Sequence, residues 1–322
     1  MNILITGGLG YIGGRLAHFL REKEPNTTLF LTTRDKNKDI PSWVKDNFNV
    51  LQMNILDKDS VADRLKGKDI EIIIHLAAIN EVDSIKDPEL ALRVNTQGTY
   101  TLLNIAKDYG VKKFIYFSTF HVYGDTSSSF ISEETPTRPF HPYAITHRAA
   151  EDFVNYFKHF YGMKTLILRL SNGYGYPMDI NVNRWTLVFN DLCRQAVTTN
   201  KLILKSSGRQ YRDFISLYNT ARAVHHFIYK VPDEWGEGLY NLGGNCSMSI
   251  LEVANKIAEI YKTRYKREIR EITTKADVEA SPSPKSVTYS IQKLEKTGFH
   301  VEDNLYHEVE KTMELCEEFI SR

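Results

Sequence analysis

Cysteine is scarce in this chain: three in 322 residues, Cys193, Cys246 and Cys316, odd in number, widely spaced and in no metal-ligand pattern. Neither a disulfide-stapled scaffold nor a cysteine-bound zinc is expected, and the sequence suggests no metal site of any kind. Charge of one sign is lacking as well. Lys and Arg total 41 against 40 Asp and Glu, a net charge of +1, which gives no global electrostatic case for nucleic acid or an anionic membrane as partner. The local basic run at residues 262–270 alternates with apolar residues and reads as a solvated face. No apolar run approaches spanning length, and the sequence enters Asn2-Ile3-Leu4-Ile5-Thr6 without a basic and then apolar leader. A cytoplasmic, non-membrane protein is therefore the expectation. Internal repeats and low-complexity tracts are also missing.

What is present is an alternation of short apolar runs with helix-period segments. Residues 2–6, 28–32, 50–54, 70–76, 113–118 and 164–169 read as strands, several of them apolar throughout, as strands buried on both faces must be. Amphipathic helices are predicted at 12–22, 88–109 and 142–161. The alternation predicts an α/β fold, a doubly wound parallel Rossmann sheet over residues 1–172 with later segments returning to it. After Arg169 the rhythm breaks. A helix at 185–197, strands at 238–242 and 267–272, and helices at 249–264 and 304–321 predict a smaller C-terminal α/β substrate-binding lobe over 173–322.

The first strand runs into Thr6-Gly7-Gly8-Leu9-Gly10-Tyr11-Ile12-Gly13 at the start of the first helix. Glycines spaced Gly-x-x-Gly-x-x-Gly allow a tight turn, close approach of backbone N–H groups to a pyrophosphate, and close helix-to-sheet packing. The setting predicts dinucleotide binding. A carboxylate that would select NAD by meeting the adenosine ribose is missing at the end of the second strand, which reads Thr32-Thr33-Arg34, with Asp35 beyond. Arg34 suits a 2′-phosphate, so NAD is expected with NADP left open.

With these pieces in place the chain resembles the extended short-chain dehydrogenase/reductase family, in particular its nucleotide-sugar-modifying epimerases, dehydratases and reductases. The residues that carry the resemblance are the glycine loop, His75-Leu76-Ala77-Ala78, Asn95-Thr96-Gln97-Gly98-Thr99, Ser118-Thr119-Phe120-His121-Val122-Tyr123-Gly124 and Pro142-Tyr143. They continue with Arg169-Leu170-Ser171-Asn172-Gly173-Tyr174-Gly175, Arg212-Asp213-Phe214-Ile215 and Tyr240-Asn241-Leu242-Gly243. The resemblance covers residue 1 to about Gly244 and weakens beyond.

The resemblance implies roles. Tyr143 is the acid and base that takes and returns the proton of a sugar hydroxyl, a task suited to a phenol. Thr119 hydrogen-bonds the reacting oxygen, and Ser118 and Asn95 support the site from behind. Gly7, Gly10, Tyr11, Ile12, Arg34, Asn54, Ile55, Leu76, Ala77, Ala78 and His147 line the cofactor. His121, Asn172, Arg212 and Lys205 face a nucleotide-diphosphate sugar, with Lys285 a further candidate. The helices at 88–109 and 142–161 resemble those that form a homodimer.

Two departures shape the expectation. The family's lysine one turn after the tyrosine is His147 here, so the chain is a working variant with another pH profile, a slow enzyme gripping its cofactor, or a non-catalytic or regulatory binder. The acidic pair by which 4,6-dehydratases expel water is Phe120-His121, which disfavours that elimination. The expected activity is hydride transfer at C4 of a nucleotide-diphosphate sugar, as a 4-epimerase or a 4-dehydrogenase/reductase. An NADP-dependent reductase of a non-nucleotide carbonyl is a third reading.

Overall fold

The computed structural model describes residues 1–34, 40–45, 47–125, 129–275 and 286–321. Asp35 and Lys285, both raised by the sequence, lie outside them. The chain divides into two compact units: Met1–Ser127, Glu133–Leu170 and Val224–Asn241 form the first, and Ser128–Ser132, Ser171–Ala223 and Leu242–Arg322 the second.

The first unit is built on a seven-stranded sheet. Its order runs from Leu239–Leu242 through Lys164–Leu170, Lys113–Thr119, Ile72–His75, Asn2–Thr6 and Thr28–Thr33 to Asn49–Gln52. The pairings from Lys164–Leu170 onward are all parallel. Ile72-Ile73-Ile74-His75 is buried at every position, as a central strand covered by helices on both faces requires. Strand order reverses between Asn2–Thr6 and its neighbour Ile72–His75. The crevice beyond their carboxyl ends is where open α/β sheets bind ligands.

The glycine loop is shaped by this crevice. Gly7 has φ +68°, and a Cβ there would lie 3.1 Å from the backbone of Leu76 and Ala77. A Cβ on Gly13 would lie 2.2 Å from the Gly7 carbonyl oxygen, so helix Tyr11–Lys23 packs against the loop only with glycine there.

Helix Pro142–Tyr161 has the boundaries that the sequence predicts. Pro142 opens it with φ already fixed, the ring of His141 caps it, and Gly162 closes it at φ 65°. The predicted helix at 88–109 instead changes character midway. Residues Pro88–Ala91 and Thr99–Asp108 are α-helical, but Leu92–Gly98 between them is a π-helix. That wider turn carries Asn95.

The second unit holds a three-stranded sheet in the order Ser247–Ser249, Tyr211–Ser216, Asn172–Tyr174. Helices Val188–Thr199, Ile250–Tyr265 and Leu305–Cys316 bury Phe189, Leu192, Cys193, Val253, Ile257 and Met313 with Phe214. Ser249 and Glu252 form a reciprocal capping box on the second helix. Three expectations shift. The helix expected from Trp185 begins at Val188, because Trp185 is buried and donates its indole N–H to the Ile180 carbonyl at 2.9 Å. The strand expected at 267–272 is only Glu271–Thr273, and the last helix breaks after Cys316. All three cysteines are free thiols.

Candidate active site

In the first unit, hydrogen bonds run in one direction from the glycine loop to the tyrosine helix. The hydroxyl of Thr6, which accepts from the amides of Leu76 and Ala77, lies 2.6 Å from Nδ1 of His75. Nε2 of His75 lies 3.0 Å from the hydroxyl of Thr99, whose own proton goes to the Asn95 carbonyl at 2.6 Å. Thr99 must therefore accept, so His75 carries its proton on Nε2 and receives the Thr6 proton at Nδ1. The Asn95 side chain then donates to Thr146 at 3.0 Å and accepts from the amide of Ile79 at 2.7 Å. Thr146 closes the chain on the Pro142 carbonyl at 2.8 Å, beside Tyr143.

Tyr143 is half-buried, and its ring meets that of His147 edge-on at 4.5 Å between centroids. His147 is buried, with Nδ1 2.7 Å from the Tyr116 hydroxyl. Burial holds Tyr116 well above the usual phenol range, so it keeps its proton and donates it to Nδ1. The proton of the imidazole then sits on Nε2, a buried atom with no hydrogen-bond partner among the described residues.

Burial lowers the pKa of both His75 and His147 from 6.5 to about 3. His147 is therefore neutral at pH 7 and does not supply the charge of the family's lysine. The stability implied has a definite sign. The unfolded chain protonates these rings near pH 6.5 and the folded chain only near 3, so the contribution is complete above pH 6.5 and is lost as pH falls toward 3. The expected slope is about 1.4 kcal/mol per pH unit for each ring. Urea midpoints followed from neutral to acid pH in the parent and in His147→Gln check it; identical profiles would contradict neutral burial of His147.

Thr119 ends its strand with a buried hydroxyl that accepts from the amide of His121 at 3.2 Å. It thus caps the turn Phe120–Tyr123 and retains a proton to donate. Ser118 points elsewhere, donating to Glu151 at 2.5 Å. Glu151 is 1% exposed and is gripped by Arg169 through Nε at 2.9 Å and Nη2 at 2.7 Å. Arg169 also donates to the Tyr123 hydroxyl at 3.0 Å, which donates to Asn241 at 2.6 Å. Glu151 was not raised by the sequence, and Arg169 was raised only as the first residue of a motif, with no role given to it. Their signal was there: Glu151 lies two helical turns after Tyr143, and Arg169 follows the apolar run Leu166-Ile167-Leu168 in its strand.

Of the residues expected to line a cofactor, Tyr11 and Ile55 are buried, Ile12, Leu76 and Ala77 are half-buried, and Gly10 turns back to bond the Gly7 carbonyl at 2.9 Å. Ala78, Asn54 and Arg34 are exposed. The Asn54 side chain caps its own turn by accepting from the Leu56 amide at 3.1 Å. These residues fit a dinucleotide: the glycine cradle has no room for side chains, and the orphaned Nε2–H of His147 is a donor in want of an acceptor such as a ribose hydroxyl. Leaving it unmet costs about 1–3 kcal/mol.

His121 is 29% exposed, with Nε2 3.8 Å from a Glu81 carboxylate oxygen. Asn172, Arg212 and Lys205 belong to the second unit. Asn172 donates to the Asp213 carbonyl at 2.9 Å, Arg212 is exposed on the adjoining strand, and Lys205 stands 3.7 Å from Asp191. The Asp213 carboxylate, pushed up by burial, accepts from the amides of Gly244 and Cys246. Among the described residues, no helix is long and apolar enough to cross a membrane.

The chain has relatives among known proteins. The chain is 32% identical over 271 residues to the dTDP-D-glucose 4,6-dehydratase of Mus musculus, covering 81% of this chain and 73% of that protein. It is 29% identical to a putative UDP-glucose 4-epimerase of Methanocaldococcus jannaschii, over 78% of this chain and 79% of that one. The crystal structure of the Thermotoga maritima UDP-glucose 4-epimerase with UDP-glucose superposes with a TM-score of 0.82 at 23% identity, over 99% of this chain and 100% of the other, and establishes the shared fold. The model of the NAD dependent epimerase/dehydratase family matches residues 3–243, and together with the 32% relative it shows that this chain belongs to that family.

Proposed function

We propose that the chain catalyses NAD-dependent hydride transfer at C4 of a nucleotide-diphosphate sugar, completed either as epimerisation or as net oxidation or reduction. The carrying observation is Tyr143, half-buried in the first turn of its helix and braced through Asn95 and His75 to the nucleotide loop. The nicotinamide, when bound, exchanges the hydride. Tyr143 takes the hydroxyl proton as the carbonyl forms and returns it in the reverse direction. Thr119 donates its remaining proton to the reacting oxygen. His147 holds the ribose as a neutral donor, so Tyr143 ionises without help from a neighbouring cation and turnover rises toward alkaline pH. Asn172 and Arg212 are assigned to the diphosphate, for which a planar guanidinium suits bidentate recognition.

The test incubates the full chain with NAD and a panel of nucleotide-diphosphate sugars at several pH values, and identifies products by NMR and mass. Inversion or oxidation at C4 supports the reading. A product lighter by one water would overturn it in favour of dehydration, with His121 and Glu81 in place of the missing acidic pair. Bound dinucleotide without turnover at any pH would make the chain a binder.

The same reading includes a homodimer. Tyr100, Phe153, Tyr156 and Phe160 stand exposed on helices Thr99–Asp108 and Pro142–Tyr161, and Tyr100, Asp152, Phe153 and Tyr156 line one cleft. Such a patch favours burial against a second copy. Sedimentation at the mass of one chain would remove this part.

A further inference from the structure

We propose that Glu81, His121 and His141 form a binding site for one divalent transition-metal ion of the zinc or cobalt kind. Each offers one ligand atom, and the three atoms lie within 4.8 Å of one another. Ligand atoms on one tetrahedral ion stand roughly 3.4 Å apart, given metal–nitrogen and metal–oxygen distances near 2 Å. The Glu81–His121 separation of 3.8 Å is already close to that value. The remaining adjustment falls to side chains that are half-buried or exposed, Glu81 and both histidines alike. Two imidazoles and one carboxylate select borderline metals over magnesium or calcium, which take oxygen ligands.

The three ligands come from separate segments whose positions are fixed for other reasons. Glu81 is the first residue of helix Glu81–Lys86, which follows the strand Ile72–His75. His121 lies in the turn Phe120–Tyr123, its ring against that of Phe120 at 4.1 Å. His141 caps helix Pro142–Tyr161 and meets His121 edge-on at 5.2 Å. An ion here ties all three segments together beside Tyr143, whose ring centroid is 6.1 Å from that of His121 and 6.2 Å from that of His141.

Two local costs oppose binding and neither is large. The positive end of the helix disfavours a cation, and the Glu81 carboxylate counters it. Coordination by His141 sacrifices or replaces the contact between its Nδ1 and the Ala144 amide, which at 3.4 Å is long. The site stands independently of the sugar chemistry proposed above, because it needs neither substrate nor dinucleotide.

Titration of the full chain with Co²⁺, followed by visible absorption, tests it. The expected result is an absorption band that saturates at one equivalent and is abolished by Zn²⁺. His121→Ala and His141→Ala should each weaken binding by about 100-fold or more, since loss of even an outer partner of a metal costs 10- to 100-fold. Glu81→Gln keeps the shape of an exposed side chain in a first helical turn, and it decides the matter should either histidine variant lose its circular dichroism. A band that never saturates, or equal affinity in the parent and the folded variants, would overturn the proposal.

Discussion

Tyr143→Phe is expected to lower turnover by about a thousandfold, within the range that a positioned acid/base contributes, while dinucleotide affinity stays nearly unchanged. The substitution deletes one hydroxyl and keeps the ring, and the ring is what packs edge-on against His147. The brace from Thr6 through His75, Thr99 and Asn95 to Thr146 does not pass through the Tyr143 side chain, so the helix keeps its position. Single-turnover absorbance of the nicotinamide reads the chemical step, and fluorescence titration reads affinity. Comparable hydride transfer in the variant would end the assignment of Tyr143 as the proton carrier.

Arg169→Met is expected to destabilise the fold by about 3–5 kcal/mol, the cost of leaving a buried partner charge uncompensated. Glu151 would lose both of its bonds from Arg169 and keep, among the described residues, the Ser118 hydroxyl and Arg148, whose Nη1 is 3.8 Å away. Adding Glu151→Gln to Arg169→Met should recover part of the loss, because a neutral amide does not need the cation. Denaturant midpoints of the two single variants and the double variant measure this. Strictly additive losses would show that the pair does not act as a unit.

Much of this architecture was legible because its causes are local. The buried strand Ile72–His75 reads as an apolar run, and helix Pro142–Tyr161 announces itself through Pro142 and Gly162. The glycine loop was legible for a similar reason, since only glycine satisfies the Gly7 and Gly13 backbones. The π-helical turn at Leu92–Gly98 was not, because its residues suit an α-helix equally well and the extra residue is chosen by Asn95 reaching Ile79 and Thr146. The neutrality of His147 was hidden too: the sequence gives the histidine, but burial and Tyr116 set its charge. The Glu81–His121–His141 cluster joins residues 40 and 20 positions apart, and no spacing rule connects them.

The return of residues 224–241 to the first unit has a consequence for how the protein is made. The edge strand Leu239–Leu242 and the buried Trp235, with Lys113 and Lys164 over its ring, complete a sheet whose other six strands are finished by Leu170. During synthesis that sheet waits with one flank unpaired while some seventy further residues are made. An unpaired strand invites a wrong partner, so the pairing of Leu239–Leu242 ends the exposed interval, and the burial of Trp235 just before it contributes a native fluorescence change at that point.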